Sequence, residues 1–189
     1  MKTYAKHDFP VESIRQLLEP GPVVLVSSHF KGERDIMTMG WHTVMEFSPS
    51  LVGCIIASAN HSFALISKTK ECIINIPDSS MLDTVIAIGN SSGKEGDKFA
   101  RFGLTEQKAA SVQAPLIGEC FASLECKIHD RTMIQKYNFF IFEVVKAHVA
   151  KSSKHTQTLH YMGQGRFMKS GDVVSRARQF TRLKNEPNF

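Results

Sequence analysis

The sequence predicts a mainly β protein, an antiparallel barrel with short helical insertions, α+β overall. Three observations carry that prediction. Apolar runs rich in Val, Ile and Phe recur in both halves of the chain, among them "GPVVLVSSHF", "LVGCIIAS", "ECIINIP" and "NFFIFEVVKAHVA", a composition that favours strands. The stretches with helical period between them are short. Alternating strand–helix units of the parallel type are missing, as are the glycine fingerprint of a dinucleotide fold and a P-loop. Many strands with little helix to cover their edges are best accommodated by closing the sheet on itself.

The elements follow in order. "PVESIRQL" reads as a short helix opened by Pro10. "GPVVLVSSHF" is a strand after a Gly-Pro break, "KGERD" a polar hairpin connection, and "IMTMGWHTVM" resumes extended structure. "SPS" marks a turn before the buried-looking strand "LVGCIIAS". "NHSFALISKTK" carries Phe63, Leu65 and Ile66 at helical spacing, with Asn60 or Ser62 as its cap. "ECIINIP" returns to strand and stops at Pro77. "SSMLDTVIAIGN" spaces Met81, Val85, Ile86 and Ile88 as a helix, and "SSGKEGDKFARFGL" is a glycine-punctuated loop running into a short helix. In "CFASLECKIHDRT" Ala122, Leu124, Cys126 and Ile128 alternate with Phe121, Ser123, Glu125 and Lys127. "MIQKY" then connects this strand to the long apolar strand "NFFIFEVVKAHVA".

Composition removes several functional classes. A chain of 189 residues with 42% hydrophobic and 22% charged residues suits one soluble domain that buries a core unaided. The formal charge is +5 and the pI about 9.1, but the basic residues are scattered. The densest runs, "KSSKH" and "SRARQFTRLKNE", lack the aromatic interleaving of a single-strand binder, the tail holding only Phe180 and Phe189. Nucleic acid is therefore not the expected partner, and mild basicity suits an anionic small ligand. No apolar run is long enough to span a bilayer, and the first ten residues do not resemble a secretory leader. Cys54 and Cys72 lie in apolar runs and read as buried small hydrophobes. Cys120 and Cys126 lack metal-site spacing, so no metal centre is expected. A reduced, cytoplasmic protein is the expectation.

The blocks "GPVVLVSS", "DIMTMGWHTVM" with "SPSLVG", "NHSFALI" with "ECIINIP", "GKEGDKFARFGLT" and "APLIGECFASLECKI" follow one another in an order that resembles the flavin reductase-like family, its flavoredoxin branch in particular. The resemblance runs from about Pro22 to Gly165 and rests on the order of the blocks rather than on any one motif. It implies a split β-barrel in a single domain over 1–189, with a core at about 20–165 and a C-terminal extension at 166–189. It also implies a homodimer, non-covalent FMN, and electrons taken from NADH, NADPH or a protein donor, with a redox partner protein for a carrier. A non-redox split-barrel ligand-binding or sensor protein is the alternative.

FMN brings a phosphate dianion and a flat, largely apolar ring with polar edges. In "ASANHSFALI", Ala57 ends a strand, Ser58, Ala59 and Asn60 lead into a helix, and His61 and Ser62 open it. Free amides at such a helix start favour an anion, and the family resemblance assigns phosphate and ribityl contacts to this block. The competing reading is that Asn60 and Ser62 only cap the helix. "SSGKEGDKF" offers Ser92, Gly93, Lys94 and Lys98; the matching family segment lies near the flavin, with Lys98 at its basic position. The alternative is a solvated loop and an amphipathic helix.

In "DIMTMGWHTVM", Met37, Met39 and Trp41 share one strand parity, and Thr38, Gly40 and His42 the other. The resemblance makes Met37 to Gly40 the ring-contact block, followed by Trp41 and His42, with Gly40 as the place for a bulge. Core filling by the methionines and a core or interface role for the tryptophan compete with this. Asn75, polar within an apolar strand, needs a partner, either a flavin edge or a backbone carbonyl. Flavin chemistry needs no protein nucleophile, so no catalytic residue is assigned. Lys98 and His42 are the cations available to the ring, and the sequence does not choose between them.

Overall fold

The computed structural model describes residues 2–18, 21–151 and 156–179. The strands are β1 (Lys6–Phe9), β2 (Val24–Phe30), β3 (Glu33–Met39), β4 (His42–Glu46), β5 (Leu51–Ile55), β6 (Glu71–Ile76), β7 (Glu106–Gln107), β8 (Leu116–Ile117), β9 (Ala122–Asp130), β10 (Phe139–Ala150), β11 (Leu159–Tyr161) and β12 (Phe167–Lys169). The α-helices are α1 (Arg15–Leu18), α2 (His61–Thr69), α3 (Leu82–Gly89), α4 (Lys98–Arg101) and α5 (Ile134–Tyr137). The basic run "KSSKH" falls mostly outside the described residues, as do Phe180 and Phe189 and the rest of the chain beyond 179. Among the described residues no helix is long and apolar enough to cross a membrane.

Eight strands form one antiparallel sheet in the order β3-β2-β6-β9-β10-β5-β4, with β1 added on β10. Its two end strands, β3 and β4, are consecutive in the chain and separated only by Gly40 and Trp41. The wall therefore comes round on itself through a two-residue corner of backbone, not through a ladder of hydrogen bonds: a split barrel. The extended reading of "IMTMGWHTVM" is corrected at that corner, because its two halves pair with different strands, β3 with β2 and β4 with β5. The turn before β3 is also tighter than "KGERD". Lys31 and Gly32 alone make it, both at positive φ, and Glu33 already pairs with Phe30.

Strand parity sets the core. Val24 and Val26 of β2, Met37 and Met39 of β3, Cys54 of β5, Cys72 and Ile74 of β6, Leu124 and Cys126 of β9, and Phe140 and Phe142 of β10 fill the barrel. All four cysteines are buried free thiols. The opposite parity of β2 and β3, Leu25 and Ile36, packs outward against Met81, Val85 and Ile88 of the α3 region and Phe99 of α4. Both faces of β2 are thus covered, which is why its apolar run is nearly continuous. Ile86 departs from the helical expectation: it is exposed, on the side of α3 away from the sheet. "MIQKY" closes the β9–β10 connection with the single turn of α5. The packed body is wider than 20–165, because β1 pairs with β10 and β12 pairs with β11, whose Leu159 is fully buried.

The alternation in β9 holds, but its polar parity is buried as well. Ser123 and Glu125 are both fully buried, Ser123 donating to Asn75 and Glu125 lying under the backbone of 110–112. The Glu125 carboxylate accepts from the backbone amides of Ala110, Ser111 and Val112 and from the His148 ring. Burial pushes this carboxyl up, yet the Ala110 amide, His148 and the Ser111 amide outweigh it and hold it below the ordinary value. A carboxyl depressed in the fold stabilises it above its unfolded value of about 4.3 and loses that contribution as pH falls through the folded value. Melting temperatures followed from pH 7 to 3 are thus expected to drop mainly below about pH 4. Glu125→Gln should lower stability at neutral pH and flatten that acid drop. An unchanged pH profile in the variant would remove Glu125 from the acid transition.

Candidate functional site

Two chain segments meet at the open edge of β3. The strand β5 ends at Ile55, and the turn through Ala59 and Asn60 starts α2. The segment after α3 runs through Ser91, Ser92 and Gly93 and enters α4 at Lys98. Between them and β3 lies a cavity of about 180 Å³ lined by Asp35, Met37, Thr38, Ala59, Asn60, His61, Ile88, Gly89, Ser91, Ser92, Gly93 and Lys98. Asn60 is the N-terminal flank of α2, and its side chain makes no capping bond. Its side-chain amide stays available while its backbone N–H donates to the Ala57 carbonyl at 2.9 Å, and the first N–H groups of a helix lack partners within it. Ser92 accepts from the Lys94 amide, and Thr38 spends its proton on the Val85 carbonyl 2.8 Å away while keeping its lone pairs.

Gly93 fits against the floor with no room for a side chain. A Cβ there would stand 2.5 Å from the Asp35 carboxyl and 2.6 Å from the His61 ring. Gly93→Ala is expected to push the loop off the floor at a cost of about 1–3 kcal/mol. That lowers the melting temperature by a few degrees, roughly 2–4 °C per kcal/mol for a chain of this size. Differential scanning fluorimetry checks it; an unchanged melt would show that the loop yields freely.

A buried charged cluster forms the floor. Lys98 Nζ lies 3.0 Å from Asp35 Oδ1 and donates to the Ile36 carbonyl at 2.6 Å. Ser62 donates to Asp35 Oδ2 at 2.7 Å. Asp35, Ser62 and Lys98 are 1%, 0% and 3% exposed. Two expectations change here. Lys98 lines the cavity but is not a free cation, because its charge is matched by Asp35. Ser62 is not a free hydroxyl at the helix start, because it faces inward and serves the same carboxylate.

A larger groove of about 630 Å³ adjoins the cavity and shares its lip at His61 and Gly93. Lys94 belongs to this groove rather than to the cavity. Arg34 holds one rim: it makes paired bonds to Asp97 at 3.2 and 2.6 Å, contacts Glu106, and lies over the Phe99 ring. Its guanidinium beside Asp97 keeps that carboxyl below the ordinary value. His61 Nε2 meets Glu33 at 2.7 Å across the shared lip.

The remaining predicted residues lie elsewhere. Met39 is core, on the barrel side of β3. Gly40 and Trp41 form the exposed corner, Trp41 at 71% exposure, which rules out a core role for the tryptophan. Ala57 and Ser58 are exposed on the turn before α2, outside the cavity lining. His42 turns toward a separate cleft beside Leu18 and Phe47 and bonds the Pro22 carbonyl at 2.7 Å. Burial lowers its pKa, with the Pro22 carbonyl opposing, which favours the uncharged ring over a cation. Asn75 is fully buried with its amide committed: it donates to the Leu25 carbonyl and Ser27 and accepts from the Ile117 amide and Ser123. Of its two expected partners, the backbone is the one found.

Asp35, Ile88, Gly89 and Ser91 line the cavity without having been singled out from sequence. Asp35 carried a legible signal: it shares the core parity of Met37 and Met39, and a carboxylate on an inward face demands a partner. Ser91 and Gly89 are visible only once α3 is docked on β3.

A family model described as "Flavin reductase like domain" matches residues 17–169. An uncharacterized Escherichia coli protein, YddH, is 29% identical over 174 residues, 85% of this chain and 92% of that protein. An uncharacterized protein of Pyrococcus abyssi is 32% identical over 69% of this chain and 74% of its own length. Among solved structures, an FMN-binding domain of a flavin reductases-like enzyme from Shewanella baltica superposes with a TM-score of 0.85 at 22% identity, covering 93% of this chain and 99% of that one. Flavoredoxin of Desulfovibrio vulgaris superposes with a TM-score of 0.76 at 23% identity, over 87% of this chain and 93% of that one.

Proposed function

Since the chain belongs to the flavin reductase like family, we propose that it binds FMN non-covalently and works as a redox protein, a flavin reductase or a flavoredoxin-like carrier fed by NADH, NADPH or a protein donor. The observation that supports this most is the convergence of the α2 start, the Ser91–Gly93 loop and β3 on one polar cavity. Its donors suit the group. Amides at a helix start and Ser92 suit a phosphate, Thr38 offers acceptor lone pairs, and Gly93 permits close backbone approach. The cavity alone is smaller than the roughly 300–1,000 Å³ of typical ligand sites. It suits the phosphorylated end of the ligand, and the adjoining groove has the volume for the remainder.

Bound FMN would supply the electron chemistry. The chain's own residues bind and orient. Asn60 and Ser92 fix the anionic end, Met37 packs the wall, and His61 holds a proton at Nε2 toward Glu33 on the lip between the two spaces.

An FMN titration tests the reading. Saturation should redshape the free flavin spectrum and raise the melting temperature, ligand at about 100 times its Kd adding about 2.7 kcal/mol. Bleaching on NADH or NADPH identifies a reductase, and bleaching by dithionite alone a carrier. A chain that gains neither spectrum nor stability rejects FMN.

A second copy of the chain is the proposed partner. Trp41, Met45 and Ile55 are large, apolar and exposed at 71%, 44% and 38%. They adjoin one another on the outer face of β4 and β5, where Ile55 bonds to the Trp41 carbonyl and Met45 approaches Gly53. A single chain rarely leaves such a patch uncovered. Trp41 is the only tryptophan, so its emission should shift to the red on dilution as a dimer dissociates. Trp41→Glu should sediment as a monomer; a wild-type chain that is monomeric at all concentrations rejects the dimer.

A further inference from the structure

The floor of the cavity holds an anion that the cofactor reading does not use. Asp35 is 1% exposed, and three elements depend on it. It is itself on β3, Ser62 reaches it from the first turn of α2 at 2.7 Å, and Lys98 reaches it from the first turn of α4 at 3.0 Å. Lys98 is further fixed by its bond to the Ile36 carbonyl. Asp35 and Lys98 both line the space, so an occupant meets the pair rather than the lysine alone. A carboxylate facing a pocket for an anionic ligand is unfavourable by itself, and a buried lysine without a counter-ion is equally so. Placed together they cancel.

We propose that Asp35 is a positioning residue for the cofactor: it locks Lys98 and Ser62 into the cavity wall and neutralises the lysine, so that FMN meets a wall of zero net charge. The inference rests on the FMN reading above. Two electrons from the donor and one proton taken up by the ring would leave FMN one unit more negative, so the net charge of the wall would bias the cofactor between its oxidised and reduced forms. Burial preserves that influence because solvent and salt screen it little.

Asp35→Asn preserves shape and can still accept from Lys98 while donating to Ser62, yet it makes the wall one unit more positive. Reduced FMN should then be held about tenfold more tightly relative to oxidised FMN, read as a rise of about 30 mV in the two-electron midpoint potential. The double variant Asp35→Asn with Lys98→Met restores a neutral wall and should return the potential to that of the wild type, a reversal that loss of packing alone would not produce. A folded Asp35→Asn protein that binds FMN at an unchanged potential overturns the proposal. Should that variant fail to fold, Lys98→Met decides. This substitution removes one positive charge from the wall, so its potential should fall, and a wild-type value overturns the proposal equally. A wild-type protein that binds no FMN rejects the cofactor reading instead, so the two failures are distinguishable.

Discussion

Ala59→Glu is expected to weaken FMN binding by roughly 30- to 150-fold while leaving the fold as stable as before or slightly more so. Ala59 is exposed beside Asn60 at the start of α2 and lines the cavity. A carboxylate near a helix N-terminus is favourable by about 0.3–1 kcal/mol. Against a phosphate it is repulsive, by about 2–3 kcal/mol for unit charges some 6–8 Å apart near a protein surface, which is the stated loss of affinity. The two effects have opposite signs, so a melt of the free protein and an FMN titration together exclude general damage. Undiminished affinity in Ala59→Glu would remove the helix start from the site. Ser62→Glu is a poorer probe, because it would place a second carboxylate against buried Asp35 and unfold the region whatever the ligand.

Asn75→Ala is expected to cost on the order of 3–4 kcal/mol of stability and roughly 6–16 °C in melting temperature. Asn75 joins β2, β6, β8 and β9: it touches Leu25 and Ser27 on one side and Ile117 and Ser123 on the other. Truncation strands the Ile117 amide and the Ser123 hydroxyl in the core, and each unsatisfied buried group costs about 1–3 kcal/mol. Because Asn75 is outside the cavity lining, the folded variant should keep its FMN affinity. A protein that melts like the wild type yet loses FMN would return Asn75 to the ligand.

The strands were legible because their apolar content exceeds what short helices need, and β6 and β10 read plainly from "ECIINI" and "FFIFEVV". The corner at Gly40 and Trp41 was less so. Nothing local tells that Met39 pairs with Val24 while His42 pairs with Cys54; that division is a property of the closed sheet. The helix start at Asn60 and the Ser92–Gly93 loop were singled out by helix-start and glycine chemistry together with the family resemblance, and residues of both line the cavity. Lys98 shows the limit. Its place in the chain was legible, but its ion-pair partner is Asp35, 63 positions earlier, reached only through the tertiary fold. Ser123 and Glu125 show the same dependence on the fold: both are polar and both are fully buried, which the alternation of β9 does not reveal.

The way the barrel comes round has a consequence for its evolution and engineering. Since β3 has a laddered neighbour on one side only, its outer rim is finished by side chains, Lys98 on the Ile36 carbonyl among them, and the gap left there is the cavity. No strand ladder passes through that rim, so substitutions at Ala59 or Ser92 on the turns that face it should tune ligand preference before they harm the wall.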